Sequence, residues 1–197
     1  MHQVTLIRHA ITDWNVAGKF QGHSDITLSE SGIAQARCLA ERCKRWQVDR
    51  VVSSPLKRTL ETARIVFPDR DLELDDRLKE IHFGAFEGYT HQQNMTHAAW
   101  VAWIDDPFLR PAPGGESYQQ VMARAVAWLE ALPKTGHTVA VTHAGVIRML
   151  VSHVLGLKRP TWRKRIVLGH TSITRIIFDG RETLLERVND TAHLQVD

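Results

Sequence analysis

Three short runs of apolar and β-branched residues, separated by stretches with helical periodicity, constrain the fold of this chain most. They are Gln3-Val4-Thr5-Leu6-Ile7, Arg50-Val51-Val52-Ser53-Ser54 and His137-Thr138-Val139-Ala140-Val141-Thr142. Each is too short for a helix and apolar at consecutive positions, as in strands covered on both faces. Between them, Ser29 is a good N-cap for a helix to about Trp46, with Ile33, Ala36, Leu39 and Ala40 on one stripe. Pro55 suits the first turn of a helix reaching about Phe67. Val121, Ala125 and Leu129 recur at helical spacing within Ser117 to Leu132. Val146 to Leu155 is apolar on nearly all sides and predicts a buried helix ending near Gly156. Strands alternating with helices predict a single three-layer α/β domain, with a largely parallel central sheet and helices on both faces. Leu72-Glu73-Leu74 is a weak further strand. Asp179-Gly180 between two apolar runs, 173–178 and 183–188, predicts a C-terminal antiparallel hairpin.

The 197 residues suit one domain spanning 1–197. An apolar share of 43% and a charged share of 24% argue against a disordered chain. No apolar run approaches the ~18 residues of a membrane helix, and the first residues lack the pattern of a signal peptide. Cys38 and Cys43, five residues apart on one predicted helix, face different ways and make no mutual bridge. Free thiols fit a reducing, cytoplasmic setting. The net charge of +3 permits an anionic partner without implying nucleic acid. The basic run of Lys158-Arg159 and Arg163-Lys164-Arg165 around Trp162 reads as a solvated face. Nothing in the sequence fixes a monomer against a homodimer.

In parallel sheets, ligands gather at the carboxyl ends of the strands. Ile7 is followed there by Arg8-His9. Val52 is followed by Ser53-Ser54, with Arg58 one turn into the next helix. Val141 is followed by Thr142-His143 and by Ala144-Gly145, which open a helix. A lone histidine at a strand end is ordinarily packed or solvated. Two histidines and two arginines at three strand ends instead describe a pocket for an oxyanion. Arginine supplies a planar fork of donors, and the helix start supplies free N–H groups.

Leu6-Ile7-Arg8-His9-Ala10-Ile11-Thr12-Asp13-Trp14-Asn15 resembles the signature of the histidine phosphatase superfamily, in its phosphoglycerate mutase-like branch. The similarity continues in order. It runs through Gly22, Asp25, Leu28, Ser29 and Gly32, then Ser53-Ser54-Pro55-Leu56-Lys57-Arg58-Thr59. Leu78, Glu80, Phe83, Gly84, Glu87 and Gly88 follow, then Pro113-Gly114-Gly115-Glu116-Ser117 and Val141-Thr142-His143-Ala144-Gly145. Asn189 and His193-Leu194 close it. Ala10 stands where the family has glycine, Ile11 replaces a frequent acidic residue, and Thr27 a common proline. These departures bear on substrate fit and remove no charged site residue.

The resemblance implies a phosphomonoesterase of a small phosphorylated metabolite, most similar to small bacterial enzymes such as α-ribazole phosphatase. It implies His9 as the nucleophile that forms a phosphohistidine, and Arg8, Arg58 and His143 as the clamp on the phosphoryl oxygens. Asn15 and the Ala144 backbone N–H would be further phosphate donors, and Glu80 the general acid. A protonated His143 would serve best, and a phosphate beside it favours that proton. No metal or cofactor is expected, because the arginines and histidines supply the positive charge. The alternatives are a cofactor-dependent phosphoglycerate mutase and a non-catalytic phosphate-binding regulatory module. The variable segment around 89–113, with Trp100, Trp103 and Phe108, and Tyr118 beside it, reads either as a lid selecting the alcohol or as ordinary packing. Trp14 reads as a loop anchor. Glu116 reads as a substrate contact or a solvated side chain.

Overall fold

The computed structural model describes residues 1–157, 165–179 and 181–194. Six strands form one sheet: β1 (His2–Arg8), β2 (Arg50–Ser53), β3 (Leu72–Leu74), β4 (Gly136–Thr142), β5 (Ile173–Phe178) and β6 (Thr183–Asp190). Their order is β3-β2-β4-β1-β5-β6. The first four pair in parallel, and β5 and β6 join antiparallel, as the alternation and the hairpin signal predict. The basic positions 158, 159, 163 and 164, Trp162 and the turn residue Gly180 lie outside the described residues.

Strand periodicity divides the core in two. Val4, Leu6, Val52, Ala140 and Ile176 face one side, and Ile7, Val51, Val139, Val141 and Ile173 the other. Register locks this pattern, because Leu6 pairs with Ala140 and Ala140 with Val52. The first side packs on α6 (Tyr118–Glu130) and α7 (Ala144–Val154), the second on α2 (Glu30–Cys43) and α3 (Lys57–Val66). Ser29 and Ser117 cap α2 and α6 through their side chains, as the sequence indicates. α3 starts later than Pro55 suggests. Leu56 is its N-cap, and the Lys57 N–H donates to Asp25 Oδ1 at 2.7 Å, so a distant carboxylate does the work of a local cap.

The remaining α-helices among the described residues are α1 (Asp13–Val16), α4 (His91–Asn94) and α5 (Ala98–Asp105). Trp100 and Trp103 of α5 are fully buried and pack with Phe83 and Phe86, ring centroids 5.0 to 5.9 Å apart. Phe20 lies 5.0 Å from Trp100. These two tryptophans are therefore core, where burial of an aromatic side chain contributes about 1.5–3 kcal/mol. Among the described residues no helix is long and apolar enough to cross a membrane. Cys38 is exposed and Cys43 buried, both free.

Candidate active site

β1 delivers Arg8 and then His9 to the carboxyl edge of the sheet. The His9 N–H continues the ladder to Thr142 O at 2.9 Å. Its side chain is 3% exposed. His9 Nδ1 lies 2.7 Å from Ala10 O, a group that only accepts, so Nδ1 carries the proton and Nε2 keeps its lone pair. Burial holds this imidazole well below its ordinary pKa, aided by Arg58 and Arg8, so it is neutral at pH 7. Ala10 packs among Leu28 and Ala36 and lies outside the left-handed region, so the methyl that replaces glycine strains nothing. Its N–H donates to Thr62 Oγ1 at 3.1 Å.

Around His9 stand the other groups that the sequence singles out. Arg58 is 1% exposed. It donates to the carbonyls of Ser24 (2.9 Å) and Gly22 (2.7 Å). Arg8 donates to Leu168 O at 2.7 Å. The Nε of each arginine is buried with no partner among the described residues. Burial lowers both guanidinium pKa values to about 10, which leaves them cations at neutral pH. The His143 ring lies 5.2 Å from that of His9. Its Nε2 meets Ser54 Oγ at 2.9 Å. The Leu56 N–H also reaches that oxygen, and His143 Nδ1 is buried with no partner among the described residues. Burial and Arg58 hold His143 well below its ordinary pKa too, so it is a neutral imidazole and not the cation that a phosphate beside it would favour. Asn15 closes a capping box in which its Oδ1 accepts from Thr12, and the residue lines the cavity beside His9. Ala144 is the first residue of α7, so its N–H is one of the unpaired donors of a helix start.

Glu80 approaches from the loop after β3. Its carboxylate accepts from the Ile81 N–H (3.0 Å) and the Gly145 N–H (3.2 Å). What holds it there was not legible from local sequence. Arg124 of α6 donates to the carbonyls of Arg77, Lys79 and Glu80 at 2.6 to 2.9 Å. Glu116, 23% exposed, pairs with Arg124 at 2.9 Å and accepts from the His82 N–H, which makes it part of the support under Glu80. Glu87 accepts from the N–H groups of His23, Ser24 and Phe83 and from Ser24 Oγ, fixing the loop whose carbonyls hold Arg58.

Arg8, His9, Asn15, Arg58, Glu80 and Ala144 line one cavity of about 310 Å³. Lys19, His91, Ile104, Tyr118 and Arg148 line it as well. Such a volume suits a small ligand. From the 89–113 segment the cavity thus takes His91 and Ile104, not the tryptophans. Trp14 is an anchor, set against Gly88 with Lys19 over its ring. Among the described residues no group of three or more His, Cys, Asp or Glu side chains could hold a metal ion. A third imidazole, His170, lies 5.9 Å from His9, a neighbour that the strand-end rule passed over.

Known proteins are similar to this chain over nearly its whole length. A Proteus mirabilis protein named "Probable phosphoglycerate mutase GpmB" is 35% identical over 98% of this chain and 95% of its own. The crystal structure of an Entamoeba histolytica phosphoserine phosphatase in complex with 3-phosphoglyceric acid is 31% identical. It covers 99% of this chain and 100% of its own, with a TM-score of 0.87. The α-ribazole phosphatase from Shigella flexneri superimposes with a TM-score of 0.88 at 26% identity over 96% of each chain. The model of the histidine phosphatase superfamily (branch 1) matches residues 4–191, and this chain belongs to that family.

Proposed function

We propose that this chain is a phosphomonoesterase of a small phosphorylated metabolite, acting through a phosphohistidine on His9 and without a metal ion. One observation carries the reading. A buried, neutral imidazole with its Nε2 lone pair free sits in a cavity walled by two arginines and one carboxylate. Nε2 attacks phosphorus, the ester P–O bond breaks, and Glu80 gives its proton to the departing alcohol. Glu80 as carboxylate then takes a proton from water, whose oxygen attacks phosphorus and breaks the P–N bond. Arg8, Arg58 and His143, with the Asn15 amide and the Ala144 N–H, hold the phosphoryl oxygens through both steps. Holding donors that need no rearrangement is the main contribution of such a site.

Two of the similar structures bear on the alcohol. The Shigella protein supports α-ribazole 5′-phosphate, and the Entamoeba protein supports phosphoserine. Lys19 and Arg148 in the cavity lining suit an alcohol with its own negative charge. The Proteus relative favours a second reading, a phosphoglycerate mutase that returns the phosphoryl group to substrate. The side of the 89–113 segment that carries His91 and Ile104 is the part placed to select between alcohols, as a lid would. The free thiols fit a cytoplasmic setting.

Phosphate release across α-ribazole 5′-phosphate, phosphoserine, phosphoglycerates, sugar phosphates and nucleotides tests the reading. Release of phosphate, unchanged by EDTA, with an acid-labile phosphoryl group trapped on His9, is expected. Interconversion of 2- and 3-phosphoglycerate that requires the bisphosphate would favour the mutase. Full activity in His9→Ala, or loss on chelation, would reject the mechanism. Phosphate binding with neither reaction would mark a regulatory module.

A further inference from the structure

We propose that His170 is a further phosphoryl-binding residue, its Nε2–H donating to a non-bridging oxygen of the phosphate beside His9. The inference rests on the phosphoryl chemistry proposed above. His170 immediately precedes the Thr171-Ser172 turn into β5. That strand runs antiparallel to β1, with Ile7 opposite Ile173. The start of β5 therefore lies beside the end of β1, and the turn before it borders Arg8 and His9. The rings of His143 and His170 stand 5.2 and 5.9 Å from that of His9, each tilted 59° to it. Each also has one ring nitrogen buried with no partner among the described residues, Nδ1 in His143 and Nε2 in His170. A buried polar atom without a partner calls for a reason, and a phosphoryl oxygen held beside His9 would supply one.

The turn that presents His170 is built rather than incidental. Thr171 sits at φ 55°, a conformation that a β-branched residue rarely adopts. Such a residue persists only where its surroundings over-determine it. Here they do. The Thr171 N–H reaches His9 O at 3.4 Å, and Thr171 Oγ1 meets His193 Nε2 at 2.9 Å. The Gly169 N–H donates to Asn189 Oδ1 at 2.6 Å. Arg8 in turn is tied to this segment twice, through its own N–H to Ser172 O and its guanidinium to Leu168 O. One turn thus positions the nucleophile's backbone, a clamp arginine and a third imidazole. Burial and the nearby Arg8 push the His170 pKa down to about 3, so it enters as a neutral donor and adds no charge. That leaves the phosphate held by two fixed cations and by imidazole donors.

Calorimetric titration of orthophosphate into the full chain reads this contact without turnover. His170→Phe keeps a flat ring and removes the donor, and His170→Asn keeps an N–H. Phosphate affinity should fall about tenfold or more in His170→Phe, the scale of a hydrogen bond to a charged group. kcat/KM should fall by the same factor for an aryl and an alkyl phosphate, and His170→Asn should recover most of both. Phosphate affinity in His170→Phe within twofold of the parent would overturn the inference. So would a loss that His170→Asn leaves unrecovered. If His170→Phe does not fold, the imidazole ¹⁵N signals of the parent decide. The His170 Nε2 resonance must shift to a hydrogen-bonded position when phosphate is added, and an unmoved resonance overturns the inference. A parent that hydrolyses no ester yet binds phosphate in a His170-dependent way would reject the esterase reading and leave this contact standing.

Discussion

Lowering the pH from 7 to 5 should destabilise the ligand-free protein steeply, because two imidazoles are buried as neutral groups. His9 and His143 are 3% and 0% exposed, and both are held well below their ordinary pKa. In the unfolded chain each takes up a proton near pH 6.5. Between the folded and unfolded values the unfolded state binds more protons. Stability is then fully present above about 6.5 and is lost as pH falls. For His170, whose pKa burial and Arg8 push down to about 3, the loss between pH 7 and pH 5 is at most about 2 kcal/mol, against roughly 5–15 kcal/mol for a whole domain. His9 and His143, held down by burial and Arg58, act in the same direction. Asp75 and Glu116 are also lowered, by Arg77 and Arg124 respectively, although burial opposes the shift most strongly in Glu116. Their contribution is lost mainly below about pH 4, outside this window. Urea unfolding at pH 7, 6 and 5 measures the slope directly. Millimolar phosphate should flatten it, since an anion beside His143 raises the folded pKa of that group. A free energy of unfolding constant to within about 1 kcal/mol across this range would refute the reasoning, because two neutral buried imidazoles cannot be silent there.

Two substitutions probe the supports of the site. A Cβ on Gly145 would meet Glu80 Oε1 at 2.1 Å, so Gly145→Ala must displace the carboxylate. A fall in kcat of about 100-fold is expected, the scale of general acid catalysis, with little change in thermal stability. Unchanged kcat would show that Glu80 does not act from this position. Glu87→Gln puts an amide N–H₂ against a ring of N–H and O–H donors. The 22–24 loop should loosen its hold on Arg58, lowering kcat/KM about tenfold by a raised KM together with a lower melting temperature. Loss of stability with unaltered KM would uncouple that loop from the site.

The part of the site carried by parallel strands was legible because it depends on order alone. Arg8 ends β1; His9, Arg58 and His143 follow β1, β2 and β4, and the carboxyl ends of parallel strands share one edge. His170 escaped that rule because it precedes an antiparallel strand, whose beginning lies at the same edge. The supports were illegible for a different reason. Arg124 reaches carbonyls 44 to 47 positions away, and Glu87 reaches Ser24 63 positions away, so no local pattern marks them. Trp100 and Trp103 at helical spacing fit a lid or a core equally well. Aromatic partners from other segments, Phe20 and Phe83, decide for the core.

The partners of the arginines explain both the proposed chemistry and the acid lability. Arg58 rests on the carbonyls of Gly22 and Ser24, and Arg8 on that of Leu168. A carboxylate in those places would hold each guanidinium more firmly, but it would cancel the charge that a phosphoryl group needs. Neutral carbonyls orient the donors and leave the charge in place. Desolvation is the consequence, visible in guanidinium pKa values lowered to about 10 and in imidazoles kept neutral beside them. An incoming dianion relieves that unfavourable field. Phosphate protection against acid and transition-state stabilisation should therefore weaken together in any variant that gives Arg58 a carboxylate partner, even one that raises stability at pH 7.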